Sequence, residues 1–209
     1  MRGCGLPLER RLRTWVCPDG HTYDVARAGY VNLLQPQDRR SPVAGDSSEA
    51  IDARARLLAA GVGRTILDGF VARAASLELA DGAVVAELGA GTGDALGALA
   101  ADRAVTGVGI DLSTAAASKA ARRFPALTWV VANADRRLPL LDRSVSLALS
   151  LHARRNPEES SRVLCAHGHL LLAVPGADDL IELRRAVLGD GALRPRIDGA
   201  VADHAPRFV

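Results

Sequence analysis

From Ala83 to Gly176 the chain alternates apolar runs of strand length with runs of helical spacing, and that alternation leaves few folds open. AVVAELGAGTG reads as a strand closing on a glycine turn, DALGALAA as the helix after it, and VTGVGIDLS as a second strand ending at Asp111. TAAASKAARRF is then a helix, LTWVVANAD a third strand, SVSLALSLH a fourth and HLLLAVPG a fifth, before the helical DDLIELRRAVL. Strict alternation demands right-handed crossovers, hence an α/β fold with a parallel sheet and helices on both faces. Upstream, a polar loop, QPQDRRSPVAGDSSEA, leads into a helix from Ser48, with Ile51, Ala55, Leu58 and Ala59 at helical spacing. A second helix is expected from Arg64 to about Leu77. Residues 1–35 mix Cys, His, Gly and aromatics with little periodicity, a texture that suits a small module held by metal rather than by a core. Three units follow: 1–35 as that module, 36–80 as a helical connector able to cover a site, and 81–209 as a Rossmann-like domain.

Composition narrows the partners. No run approaches the roughly 20 apolar residues of a membrane span, and Arg10, Arg11 and Arg13 interrupt any apolar leader, so a cytoplasmic address is expected. A net charge of +2 argues against coating nucleic acid by bulk electrostatics. Lys119 is the only lysine, so arginine carries nearly all positive charge, yet between Arg2 and Arg40 seven arginines outnumber four acids. That excess favours phosphate contacts weakly.

The chemistry-bearing run is Glu87-Leu88-Gly89-Ala90-Gly91-Thr92-Gly93, where the first strand yields to the first helix. Glycines are needed there so that the backbone can turn sharply and let a ligand approach with no Cβ in the way. The acidic residue before the first glycine and the G-x-G-x-G register separate it from the dinucleotide G-x-G-x-x-G fingerprint. The run resembles motif I of class I S-adenosylmethionine-dependent methyltransferases. Asp111, closing the second strand, suits a carboxylate that accepts both ribose hydroxyls, though a helix cap would look the same. Asn133 and Asp135, ending the third strand, resemble the position that meets the adenine amino group; a simple turn is the plain alternative. After the fourth strand, His152 is a candidate to contact a base or take a proton.

Three cysteines are too few and scattered for a disulfide framework, and Cys17 lies four positions before His21 in CPDGH. With Cys4 they make C-x12-C-x3-H, three of the four ligands that structural zinc prefers. A C-x2-C pair would put the fourth at Met1.

The combination C-x12-CPDGH-x-YDVARAGYVNLL, then AGDSSEAIDARARLLAAG, then ELGAGTG resembles the 23S rRNA guanine-N1 methyltransferases that include tylosin- and mycinamicin-resistance enzymes. The resemblance implies an N-terminal zinc module of Cys-Cys-Cys-His type reading an RNA hairpin, with Cys4, Cys17 and His21 as its second, third and fourth ligands. It implies a Rossmann-like domain holding S-adenosylmethionine through Glu87, Gly89, Gly91, Gly93, Asp111, Asn133 and Asp135, and methylation of guanine N1 in a 23S rRNA hairpin loop, with macrolide resistance as a consequence. Asp135 and His152 are then the expected proton acceptors, and Arg10, Arg11, Arg13, Trp15 and Tyr30 the RNA contacts, the two aromatics as stacking platforms. The methyltransferase sheet is expected to lack its strands six and seven, because too little chain follows DDLIELRRAVL, and a homodimer would cover the edge so left. The rival expectations are a natural-product methyltransferase on the same scaffold and a non-catalytic protein that binds zinc and S-adenosylmethionine.

Overall fold

The computed structural model describes residues 5–34, 45–153 and 155–208. The N-terminal part is a meander of three short antiparallel strands, β1 (Glu9–Arg11), β2 (Thr14–Val16) and β3 (Thr22–Asp24), in the order β1-β2-β3. Three-residue strands bury too little to stand alone, and this sheet is only half-buried at best, so packing and the metal-type turn at Cys17 carry it.

The fourth strand, β4 (Tyr30–Asn32), leaves that meander and joins the large sheet instead. The rest follow in chain order: helices α1 (Ser48–Ala59) and α2 (Arg64–Ala75), β5 (Val84–Leu88), α3 (Asp94–Asp102), β6 (Thr106–Asp111), α4 (Thr114–Arg123), β7 (Thr128–Val131) and β8 (Val145–Leu151). Then come α5 (Pro157–Val163), β9 (Leu164–Ala173), α6 (Ile181–Leu188) and α7 (Ile197–His204). The large sheet runs β4-β7-β6-β5-β8-β9 with every pairing parallel. Among the described residues no strand follows β9, whose outer edge has no neighbour in the sheet. The expected 1–35 unit therefore lends its last strand to the large sheet, where Tyr30, Val31 and Asn32 pair with Trp129, Val130 and Val131.

Alternation along β5 shows why the sheet is covered on both faces. Val85 packs with Leu67, Phe70, Leu96, Leu99 and Trp129 on one side. Ala86 and Leu88 pack with Ile110, Val130, Ala148 and Val163 on the other. Trp129 is the keystone of the first layer. It is 2% exposed, its indole N–H donates to the Phe124 carbonyl at 3.0 Å, and a Cβ on Gly93 or Gly109 would lie 2.3 or 2.2 Å from its ring. Glycine at both positions is thus a condition of seating the indole.

Half-buried arginines tie the loops. Arg103 donates to the carbonyls of Ala75 (2.8 Å) and Leu79 (3.1 Å), satisfying acceptors that the end of α2 leaves open. Arg162 donates to the carbonyls of Leu138 (3.1 Å) and Leu140 (3.0 Å) and pairs with Glu159 and Asp142, closing the β7–β8 connection onto α5. No helix among the described residues is long and apolar enough to cross a membrane.

Candidate active site

The strand order reverses at β5: the chain steps outward through β6 and β7, then returns to place β8 on the other side. In such sheets ligands bind beyond the carboxyl ends of the strands at that switch point. The residues after β5, β6, β7 and β8 are the motif residues singled out from sequence.

Gly89, Gly91 and Gly93 have φ of 67°, 54° and 76°, a left-handed backbone at every second position. The loop is pinned by the amides of Gly89 and Ala90, which both donate to the Ile110 carbonyl at 2.8 and 3.0 Å. Gly91 faces open space: a Cβ built there would meet nothing within 4 Å, so the backbone fronts a cradle rather than a packed wall.

Asp111 holds the cradle's other side. One carboxylate oxygen accepts from the Gly91 amide at 2.8 Å and the other from the Ser113 amide at 2.7 Å. A carboxylate offers about four lone-pair sites, so two remain for a pair of hydroxyls. Burial pushes the Asp111 carboxyl up, against the pull of the Ser113 and Gly91 hydrogen bonds. The cap alternative raised by the sequence is present in the structure: Asp111 caps the turn, and Ser113, accepting from the Ala116 amide at 3.3 Å, caps α4. Gly45 and Asp46 close over this corner, with Ser113 Oγ donating to the Asp46 carbonyl at 2.8 Å.

Glu87 occupies a different place from its neighbours in the motif. It is 3% exposed, beneath the cradle, and accepts from the Leu96 amide at 3.1 Å. Gly93, the N-cap of α3, has no side chain to do this, so Glu87 supplies the missing cap from the preceding strand. Burial pushes its carboxyl up to about 8, outweighing the Leu96 hydrogen bond.

Asn133 and Asp135 form a turn at the end of β7, the Asp135 amide donating to Asn133 Oδ1 at 2.9 Å. Asn156, which the sequence reading overlooked, ties that turn to the one after β8, donating to the carbonyls of Ala134 (3.1 Å) and Arg136 (3.2 Å). His152 stands on the second turn with φ of 54°, strain for a residue with a Cβ that surrounding contacts must hold. Its amide donates to the Ala173 carbonyl at 2.9 Å, and Ala153 presses on the cradle, 2.4 Å from where a Cβ on Gly89 would be.

In the N-terminal module, Cys17 is buried and its sulfur lies 3.2 Å from His21 Nδ1 across a tight turn closed by the Gly20 amide on the Cys17 carbonyl. Two soft donors converging in this way fit one metal ion. Cys4 lies outside the described residues, among which no three such donors gather. Arg10, Arg11 and Arg13 are exposed, whereas Trp15 and Tyr30 are half-buried, Trp15 against Val31 and its layer and Tyr30 against the Trp129 layer. Those aromatics serve packing first. Arg10, Trp15 and Arg27 also border a cavity of about 180 Å³ beside Pro125 and Thr128, at the opposite end of β7 from the cradle.

Comparison with known proteins gives the family and the fold. A zinc-ribbon family model described as RlmA, N-terminal, covers residues 4–42, and a methyltransferase-domain model covers residues 85–171. The chain is 38% identical over 210 residues to the 23S rRNA (guanine(748)-N(1))-methyltransferase of Streptomyces fradiae, covering 98% of this chain and 73% of that one. It is also 38% identical over 224 residues to a Micromonospora griseorubida protein named as a 23S rRNA (guanine-N(1)-)-methyltransferase, covering 98% and 74%. Among solved structures, the methyltransferase in complex with the Haloferax volcanii Trm112 activator aligns at 22% identity with a TM-score of 0.55, over 75% of each chain, which shows the shared fold.

Proposed function

Because the chain belongs to the 23S rRNA (guanine-N1)-methyltransferase family, we propose that it methylates N1 of a guanine in a hairpin loop of 23S rRNA. The observation that carries the reading is the cradle of Gly89, Gly91 and Asp111 sharing the wall at Ala153 with an open pocket beyond β8. Donor and acceptor sites so placed suit a direct transfer.

S-adenosylmethionine, when bound, supplies a methyl group on a sulfonium that is already electrophilic. The protein's work is then placement and exclusion of water. Gly91 admits the ligand to the backbone, Asp111 accepts the ribose hydroxyls while held by two amides, and Gly45 with Asp46 covers the corner. The N1 proton of guanine must leave, and Asp135 and His152, on turns drawn together by Asn156, are its acceptors. The arginines of β1 and its turn, Arg10, Arg11 and Arg13, face solvent and contact RNA phosphates. Zinc at Cys17 and His21 holds the turn behind them. Macrolide resistance and residence beside ribosomes in the cytoplasm belong to the same reading.

The decisive assay incubates the protein with labelled S-adenosylmethionine and 23S rRNA from a strain lacking the modification. Label in the RNA with a reverse-transcription stop at one guanine is expected, since N1 methylation blocks pairing. Label on a small molecule instead would support the natural-product rival, and cofactor binding without turnover the non-catalytic one.

A further inference from the structure

Beyond β8 the turn that carries His152 opens a second site on the cradle's flank. Its pocket, about 180 Å³, is lined by His152, Ala153, Arg155, Val174, Pro175 and Arg196. Among the described residues, two arginines and a histidine line it and no carboxylate does. Arg155 Nη1 is buried with no hydrogen-bond partner among the described residues. A buried guanidinium N–H left unmade is costly, and native structures keep such groups where a ligand completes them. The pocket touches the methyl-donor cradle through Ala153, whose Cβ sits 2.4 Å from where a Cβ on Gly89 would stand.

We propose that Arg155 is a catalytic residue of the acceptor pocket, donating its buried Nη1–H to O6 of the target guanine and stabilising the N1-deprotonated base that attacks the methyl group. The inference rests on the guanine-N1 reading above. When N1 loses its proton, the charge spreads onto O6, so a fixed cation at O6 is worth more to the anion than to the neutral base, as catalysis requires. The N1 proton passes to Asp135 or His152 and on to solvent. The N1–C bond forms as the C–S bond breaks, with its electron pair staying on sulfur, and the guanidinium neither gains nor loses a proton. Around Arg155 the titratable and charged groups are His152 and Arg196 in the pocket, Asp135 and Arg136 on the turn held by Asn156, and Glu158 and Glu159 on α5. Glu159 is already engaged by Arg162 and the Leu138 amide.

The test compares the whole protein with Arg155→Met and Arg155→Lys on the same rRNA, measuring kcat, KM and the dependence of kcat on pH, with calorimetry for S-adenosylmethionine. Loss of an electrostatic donor of this kind costs roughly 100- to 1,000-fold in kcat. Arg155→Met is expected to fall by that order with unchanged cofactor affinity, its rate rising with pH into a more alkaline range than the wild type's; Arg155→Lys is expected to recover part of both. A loss of cofactor affinity would instead assign Arg155 to the cofactor's carboxylate and overturn the proposal. So would an unaltered pH profile, or a fall in Arg155→Met confined to KM. If Arg155→Met does not fold, Arg155→Lys decides alone: a wild-type rate and pH profile refute the idea, a depressed and alkaline-shifted one upholds it. Failure of the wild type to modify any guanine would sink the parent reading, a result distinct from these.

Discussion

Replacing Glu87 with glutamine tests the account of the loop most directly. Glu87 lies 3% exposed under the glycine turn, and its carboxyl moves from 4.5 to about 8 because burial disfavours the charged form. The folded chain therefore holds a proton that the unfolded chain gives up. A raised acid contributes its stability fully below about pH 4.5 and loses it as pH climbs through about 8. At about 1.36 kcal/mol per pKa unit, that window is worth about 4–5 kcal/mol. Glutamine is the uncharged isostere and keeps an acceptor for the Leu96 amide, so E87Q should match the wild type at pH 5 within about 1 kcal/mol. It should then exceed the wild type increasingly toward pH 8.5, by about 3–4 kcal/mol. Urea unfolding at half-unit steps of pH, on both proteins without cofactor, reads this difference. Asp111, whose carboxyl is also pushed up, is present in both and cancels. Parallel curves for the two proteins from pH 5 to 8.5 would refute the claim that Glu87 is buried and protonated.

Asp111→Asn should weaken S-adenosylmethionine binding roughly ten- to a hundredfold by calorimetry, because hydrogen bonds to a charged group are worth about 1.5–3 kcal/mol. The amide also turns an N–H toward one of the two backbone donors that Asp111 now accepts. Gly109→Ala should lower stability in denaturant unfolding by about 1–3 kcal/mol through overpacking on the Trp129 ring, and Trp129→Leu should cost less in that background than alone. Arg162→Ala strands Glu159 and the carbonyls of Leu138 and Leu140, and should destabilise by about 3 kcal/mol in thermal unfolding. Stripping metal with a chelator should speed amide exchange across Thr14–Asp24 while Val85 and Leu147 stay protected, since the latter belong to the apolar core.

The parallel sheet was legible because each of its five longer strands is a short, mainly apolar or β-branched stretch set between segments of helical spacing. The cradle was legible because glycine is the residue a left-handed loop demands, as the φ values of Gly89, Gly91 and Gly93 show. What escaped depends on distance in sequence. Three residues, Tyr30, Val31 and Asn32, hold no periodicity, and only the free edge of β7, a hundred residues on, makes them a strand of the large sheet. Trp15 and Tyr30 looked like exposed platforms because an aromatic beside arginines carries no mark of the layer it will cover. α5 was missed although its sequence carries start signals, Asn156 as cap, Pro157 at its start and Glu158 and Glu159 in its first turn. Arg155 had no such signal: its meaning lies in a buried Nη1 that no spacing shows.

The sharing of β4 changes how the chain can be recombined. A recognition module joined by a linker can be exchanged like a cassette, with the cut made anywhere after its metal ligands. Here a cut after Leu34 would carry off the strand that shields the β7 edge, and a donor segment that did not replace it would bare that edge to other chains. A chimera that borrows another relative's module should therefore cross over between Asp24 and Gly29, keeping this chain's Tyr30, Val31 and Asn32 in register with Trp129, Val130 and Val131; a crossover after Leu34 brings the donor's outer strand, which must match that register. Meander and sheet edge can thus be parted only upstream of Tyr30.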